Sequence, residues 1–337
     1  MESVTVVMVA YGAESWLERA VDAVLASSGV DVEVVLVDNG CTDGGVDRVR
    51  GRPDLKVIEP GENLGFAGGC NEGVRHGRGA LVAFVNLDAI VAPDALRRLA
   101  DVALRPGVGI ASASVRLANA PDRLNSAGNE VHFTGFSWSG CFDEPAAAQA
   151  VERDALAASG AAMAMRRELW DELGGFDESF FAYYEDAELS LRCWQRGLSV
   201  RYVPTAIVNH RYEFSRHPRK LYLAERNRLL MVATCFGPRL LWCVAPALVA
   251  VELAMTATAF AQGWGGQKVA GWRWLVQHRH EIAARRRAVQ AARAVDDHAL
   301  VEHFAEHLDP GNAPPPAWAR PFDRVLRAYW LAARHLV

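Results

Sequence analysis

Four stretches of this chain bring together residue types suited to a phosphorylated, oxygen-rich ligand. The first is Val37-Asp38-Asn39-Gly40-Cys41-Thr42-Asp43-Gly44. A carboxylate that follows the strand-like run Val32–Val37 can accept a hydrogen bond from an imide N–H, such as that of uracil or thymine. Asp-Asn-Gly is equally a turn signal, and Thr42 or Asp43 can cap a helix. Tyr11, after the run Val4–Val9, can stack on a base or stand as a half-buried tyrosine. The second stretch is Asn63-Leu-Gly-Phe-Ala-Gly-Gly-Cys-Asn71. Glycines that open a helix turn backbone N–H groups toward an anion, although this is not the G-x-G-x-x-G spacing of a dinucleotide site. The third is Val85-Asn86-Leu87-Asp88. A carboxylate at a strand end can hold Mg2+ or Mn2+ against a diphosphate, because these ions favour oxygen ligands and share phosphate oxygens. It can also simply close the strand before a turn.

The fourth stretch runs from Phe180 through Tyr184-Glu185-Asp186 to Arg192. Paired carboxylates at a helix start are favoured by the helix dipole alone. Aromatic neighbours lower the local dielectric, raise a carboxyl pKa and suit it to general-base work. His210 follows a strand-like run, where an imidazole can complete a metal site or be structural.

These residues need elements to position them. The first half alternates strand-like and helix-like segments. Val4–Val9 precedes a helical pattern over Ser15–Ala26, with Ser15 as expected cap and Glu18 three residues on. Val32–Val37, Val57–Ile58 and Leu81–Val85 read as strands, and Gly69–Arg75 and Pro93–Leu104 as helices. This order predicts an open α/β sheet, in which ligands sit beyond the carboxyl ends of the strands. Residues 107–210 mix short strands and Gly-rich turns with one clear helix, Glu185–Gln195. From about Arg216 the character becomes helical. Leu240–Ala261 carries Glu252 as its one charge and is long enough for a bilayer, which takes ~20 residues. Pro246 and Glu252 argue against a simple span. Neighbouring Trp264, Lys268, Trp272, Arg273, Trp274, Arg279 and Arg285–Arg287 suit a helix lying in the headgroup region; a buried core helix is the other reading. Pro310–Pro321 breaks the chain before a last helical piece.

Composition sets the outer limits. The 337 residues are 51% hydrophobic and carry a net charge of −4. That excludes a disordered or collagen-like chain and argues against gripping nucleic acid through bulk charge. The 6 cysteines form no C-x-x-C pair, so neither a disulfide framework nor a zinc motif is expected. Reduced cysteines and an N-terminus that runs directly into a strand point to a cytoplasmic protein.

Taken together, the motifs resemble glycosyltransferase family 2. The matching pieces are Val9-Ala10-Tyr11, Val37-Asp38-Asn39-Gly40, Asn63-Leu-Gly-Phe-Ala-Gly-Gly, Asn86-Leu-Asp88, Gly174-Gly-Phe-Asp177-Glu and Tyr184-Glu-Asp186-Ala-Glu-Leu, covering roughly residues 4–212. Asn125-Ser-Ala-Gly128, His210 and Glu225-Arg-Asn-Arg228 resemble its bacterial rhamnosyltransferase-like branch more narrowly. The resemblance implies a GT-A fold: a Rossmann-like, mostly parallel sheet flanked by helices, with a helical, membrane-associated C-terminal extension. Residues 1–215 would form the catalytic domain, its nucleotide-sugar part about 1–105 and its acceptor part about 106–215, followed by the helical region 216–337.

Roles carry over by motif. Tyr11 and Asp38 would bind base and ribose; Asn63, Gly65 and Asn71 would lie along the nucleotide and diphosphate. Gly160 and Ala161 would line the donor-sugar pocket. Asp88 would be the second carboxylate of the Asp-x-Asp metal motif, with Asn86 in place of the first and His210 as a further ligand for Mg2+ or Mn2+. Asp186 would be the catalytic base, with Glu185 beside it contacting the acceptor. The Gln-x-x-Arg-Trp signature of processive synthases is absent around Arg273-Trp274, which favours transfer of one sugar. The implied reaction is a single inverting displacement from a dTDP- or UDP-sugar, dTDP-L-rhamnose first. The implied acceptor is a polyprenyl-diphosphate-linked saccharide met at the inner face of the cell membrane. A soluble glycan or natural product is the alternative acceptor. A sugar-phosphate nucleotidyltransferase and a non-catalytic, membrane-associated sugar-binding protein are the readings from other classes.

Overall fold

The computed structural model describes residues 1–212, 219–312 and 319–337. The expected boundary at 215/216 and half of the Pro310–Pro321 break lie outside the described residues.

The first elements are β1 (Ser3–Gly12), α1 (Leu17–Leu25), β2 (Asp31–Cys41), α2 (Gly45–Val49), β3 (Leu55–Ile58), α3 (Gly65–His76) and β4 (Leu81–Val85). β1 pairs in parallel with β2 and β4, and β2 with β3. Val34–Val37 of β2 are fully buried, as a strand covered on both faces requires. α1 buries Leu17, Ala20, Val21 and Val24, one face at helical spacing. It starts two residues later than expected, and Ser15 is not its cap. Glu14 instead accepts from the Trp16 N–H at 2.8 Å, while the Ser15 hydroxyl accepts from Arg211. α3 starts four residues earlier than its glycine-rich sequence predicts. It lies so close to the sheet that a Cβ on Gly73 would overlap the Val7 side chain.

The sheet then becomes mixed. β5 (Ala89–Val91), α4 (Ala95–Ala103), β6 (Val108–Leu117), β7 (Ala120–Ser126), β8 (Asn129–Val131), β9 (Ser137–Ser139), β10 (Arg153–Asp154), β11 (Ala162–Arg166), α5 (Arg167–Leu173), α6 (Glu185–Gln195) and β12 (Ser199–His210) follow. The strand order is β10-β12-β6-β11-β4-β1-β2-β3, with β5 on β12, β7 on β6, and β8-β9 a separate ribbon. β11 runs antiparallel between β4 and β6. It thereby carries residues 159–161 to the carboxyl end of β4, where the Asn86 N–H donates to the Ala161 carbonyl at 3.0 Å.

The C-terminal region is helical: α7 (Lys220–Cys235), α8 (Pro238–Ala261), α9 (Gly265–Gln277), α10 (Arg279–Ala291), α11 (His298–Val301) and α12 (Arg320–Ala333). One apolar core runs from Phe84, Trp170 and Phe176 into Leu230, Leu240 and Trp330, so this region packs on the sheet rather than beside it. α8 keeps Pro246 within it and is long and apolar enough to cross a membrane, with only 22% of its most apolar window buried. It buries Leu240, Val244, Ala247 and Val251. At 100° per residue, Trp242, Val249, Leu253 and Phe260 form a stripe on the other side, 82%, 60%, 68% and 62% exposed. Glu252, on the flank, turns inward. It accepts from Arg228, from Lys268 and from the Trp272 indole N–H, and Arg228 and Lys268 also hold the buried Glu225.

Candidate active site

The candidate site residues gather at the carboxyl ends of β1, β2 and β4. After β2, Asp38 Oδ1 accepts from the N–H groups of Gly40 (3.0 Å) and Cys41 (2.7 Å), which folds the loop back on itself. Tyr11 stands 57% exposed beside Gly40. The neighbouring Asn39 fastens this loop to the next one: its amide donates to the Gly65 carbonyl at 2.6 Å, and its oxygen accepts from Leu64 N–H. Asn63 Oδ1 accepts from Gly65 N–H at 2.9 Å. Gly65 has φ +73°, and a Cβ there would overlap the Phe181 carbonyl, which instead accepts from Ala67 N–H at 3.1 Å. The start of α3 is thus joined to the aromatic segment before Glu185. Asn71 does not join this group. Its amide donates to the Phe176 carbonyl and its oxygen accepts from Phe176 N–H, which fixes the Gly174–Asp177 turn.

Asp88 and His210 do meet. β5 pairs with the end of β12, and this places His210 Nε2 at 3.0 Å from Asp88 Oδ1. His210 Nδ1 lies 2.8 Å from Asn125 Oδ1, an outer partner of the kind that orients ligating imidazoles. The Asn125 Nδ2 is buried without a hydrogen-bond partner. Asn86 adjoins through its backbone, which bonds to Ala161 and Ala89. Among the described residues, no three His, Cys, Asp or Glu side chains come together as a metal cluster. Asp88 and His210 thus offer one carboxylate and one imidazole, and a divalent cation held between them would need water or diphosphate oxygens for the rest of its shell.

The Glu185–Asp186 pair is built differently. Asp186 Oδ2 accepts from Gly160 N–H at 2.8 Å and from the Asn129 amide at 3.2 Å, and Oδ1 accepts from Ala187 N–H at 2.7 Å. Burial raises its pKa against these lowering bonds. Glu185 is buried, with Oε2 lacking a partner, and burial followed by the Asp186 charge pushes it well above the carboxylate range. Tyr183 is pushed up to about 12, by burial first and the Glu185 charge second. Phe181, Tyr183 and Tyr184 all have positive φ (63°, 69° and 75°). Such conformations cost of order 1–3 kcal/mol each in a non-glycine residue, so the surroundings hold this segment.

Asn39, Asn125 and Asn129 are site residues that motif reading passes over. Asn39 and Asn125 stood inside quoted motifs, and Asn129 directly follows one, so adjacency was the available signal.

The profile of the family described as "Glycosyltransferase like family 2" matches residues 2–231. The succinoglycan biosynthesis protein ExoO of Rhizobium meliloti is 37% identical over 110 residues, 32% of this chain and 32% of that protein. The N-acetylglucosaminyl-diphospho-decaprenol L-rhamnosyltransferase of Mycobacterium tuberculosis is 28% identical over 230 residues, 61% of this chain and 75% of that enzyme. Among solved structures, the mannosyltransferase PcManGT of Pyrobaculum calidifontis, in complex with GDP-Man and Mn2+, superposes with a TM-score of 0.52 at 20% identity. That match covers 98% of this chain and 85% of the other, and it places the architecture among the GT-A-like folds.

Proposed function

The chain belongs to glycosyltransferase family 2, and on that premise we propose that it moves one sugar from a nucleoside-diphosphate sugar to an acceptor hydroxyl with inversion. The observation that carries this reading is the Asp186 carboxylate, oriented by Gly160, Asn129 and Ala187 and raised in pKa by burial. Asp186 takes the acceptor proton as that oxygen bonds to the anomeric carbon. The bond from that carbon to the diphosphate oxygen breaks, and the nucleoside diphosphate leaves. Tyr11 and Asp38 hold the nucleoside, Asn63 and Gly65 border the diphosphate, and Asn86, Gly160 and Ala161 border the sugar. Glu185 shapes the acceptor side. Asn71 acts at one remove, through the Phe176 turn. Asp88 and His210 would hold Mg2+ or Mn2+, which supplies positive charge for the leaving diphosphate.

The mycobacterial relative's name supports dTDP-L-rhamnose as first candidate donor and a polyprenyl-diphosphate-linked saccharide as acceptor, in cell-wall or surface polysaccharide assembly. UDP-sugars come next, and a soluble glycan or natural product is the alternative acceptor. The exposed stripe of α8, with exposed Arg239, Arg273 and Arg279 nearby in sequence, supports a peripheral position on the inner face of the cell membrane.

The test is a thermal-shift screen of UDP, dTDP, GDP and CDP and their sugars with Mg2+ or Mn2+. A metal-dependent shift with dTDP-rhamnose is expected. A shift with UDP-sugars alone would sink the rhamnosyl assignment, and none at all would sink the transferase reading. Flotation with anionic liposomes tests the surface: Val249→Asp with Leu253→Asp should abolish binding, and a wild-type protein that ignores the liposomes overturns it.

A further inference from the structure

The segment 180–184 leads into Glu185 and Asp186 with Phe181, Tyr183 and Tyr184 at positive φ. What holds it comes from the C-terminal region. The Asn227 amide donates to the carbonyls of Phe180 (2.9 Å), Ala182 (2.8 Å) and Tyr183 (2.7 Å). Arg226 Nη2 donates to the carbonyls of Ser179 (2.7 Å) and Phe180 (2.8 Å). Asn227 Oδ1 in turn accepts from Arg226 Nε at 2.8 Å, which orients the amide so that its N–H groups face the loop. Both side chains are buried. The guanidinium lies over two aromatic rings, its Cζ 4.4 Å from the Trp274 centroid and 5.4 Å from that of Tyr222.

We infer that Arg226 and Asn227 of α7 are positioning residues for the catalytic segment. They collect the carbonyls that this tight positive-φ segment turns inward, and so set the start of α6, from which Asp186 reaches Gly160 and Asn129. Neither touches a reacting atom. The flanking residues of the same helix face elsewhere: Glu225 and Arg228 join Glu252 and Lys268 in the buried charge cluster under α8, and Arg228 Nη1 also donates to the Thr134 carbonyl. One turn of α7 therefore grips the catalytic segment with one pair and the C-terminal helices with the other. An α6 helix without this grip would still form, but its first turn would lose its angle, and misplacement near 1 Å costs about 10²-fold in rate.

The inference rests on Asp186 as the base, and its test separates the two. Full-length Asn227→Ala is compared with wild type by release of nucleoside diphosphate from the donor that gives the largest thermal shift, and by deuterium uptake of peptides covering 179–188. Expected are a kcat lowered ~10²-fold, a donor KM within about threefold, a displaced acid limb of the pH–kcat profile, and faster uptake confined to that segment. In a Tyr183→Gly background the same substitution should matter several-fold less, because glycine keeps a positive φ unaided. Should Asn227→Ala not fold, Arg226→Lys keeps the charge, loses the planar fork and should show the same pattern at about tenfold. Unchanged kcat and uptake would overturn the inference. So would a lower Tm with the pH profile and the kcat-to-KM split of wild type, which marks a merely structural role. If Asp186→Asn stays fully active, the base assignment fails, while the uptake result still decides the grip.

Discussion

The two acidic centres of the cleft, Asp88–His210 and Glu185–Asp186, make opposite use of the same side chain. Asp88 sits in the turn between β4 and β5 and meets an imidazole at 3.0 Å, and that imidazole is steadied by Asn125. Glu185 and Asp186 open a helix, and among the described residues their hydrogen bonds come from backbone amides and one Asn, never from a cation. On the proposed reading, the first centre would share the charge of a divalent cation with a ligand. The second is kept short of positive charge, so its carboxyl groups hold protons more readily. A carboxylate becomes a metal ligand or a base through what its neighbours withhold as much as through what they give.

Three experiments press on that contrast. The largest effect should come from Asp186→Asn. Loss of the base lowers kcat by about 10²–10⁴-fold, while titration with nucleoside diphosphate and metal gives an affinity within a few-fold of wild type. Affinity lost in step with kcat would merge the two centres into one. Next comes Asn125→Ala, which should weaken Mn2+ binding about 10–100-fold, seen as a loss of the Mn2+-dependent part of the thermal shift with nucleoside diphosphate. An unaltered Mn2+ dependence would remove His210 from the metal site. The smallest effect is on stability. Glu185 has a raised pKa in the fold, so it supports the fold fully below its unfolded value near 4.5, and that support is lost as pH rises through the raised value. Glu185→Gln should therefore raise Tm at pH 8 by about 2–6 °C, and the difference should fade toward pH 4. A difference that does not vary with pH would mean that Glu185 is not held short of charge.

Much of this arrangement was legible in the chain. Leu81–Val85 and Glu185–Gln195 form the strand and helix that the sequence predicts, because uniform apolarity and a run of acids at a helix start are local signals. The meeting of Asp88 with His210, 122 residues apart, was reachable only through the family resemblance. The asparagines were harder. Asn39 reads as turn chemistry, yet it bonds across to Gly65; Asn129 reads as nothing in particular, yet it bonds to Asp186, 57 residues on. An amide is at home in any turn, so its sequence context does not reveal a distant partner. The start of α3 at Gly65 is hidden in the sequence for a related reason. Its glycines lower helix propensity, and the close packing that makes them necessary belongs to Val7 and Phe181, not to α3 itself. The expectation of a mostly parallel sheet describes β1 to β4 well, and the antiparallel insertion of β11 gave no periodic sign of its own.

The charge cluster around Glu252 bears on direction. A helix of 24 residues with one internal charge could in principle roll about its axis on the protein, since one apolar face serves nearly as well as another. Arg228 of α7 and Lys268 and Trp272 of α9 remove that freedom by gripping Glu252 from two elements. Trp242, Val249, Leu253 and Phe260 then face outward at one fixed azimuth, and α7 ties that azimuth to the catalytic segment. Whatever surface takes up the stripe would meet a site whose tilt is decided inside the protein before contact is made.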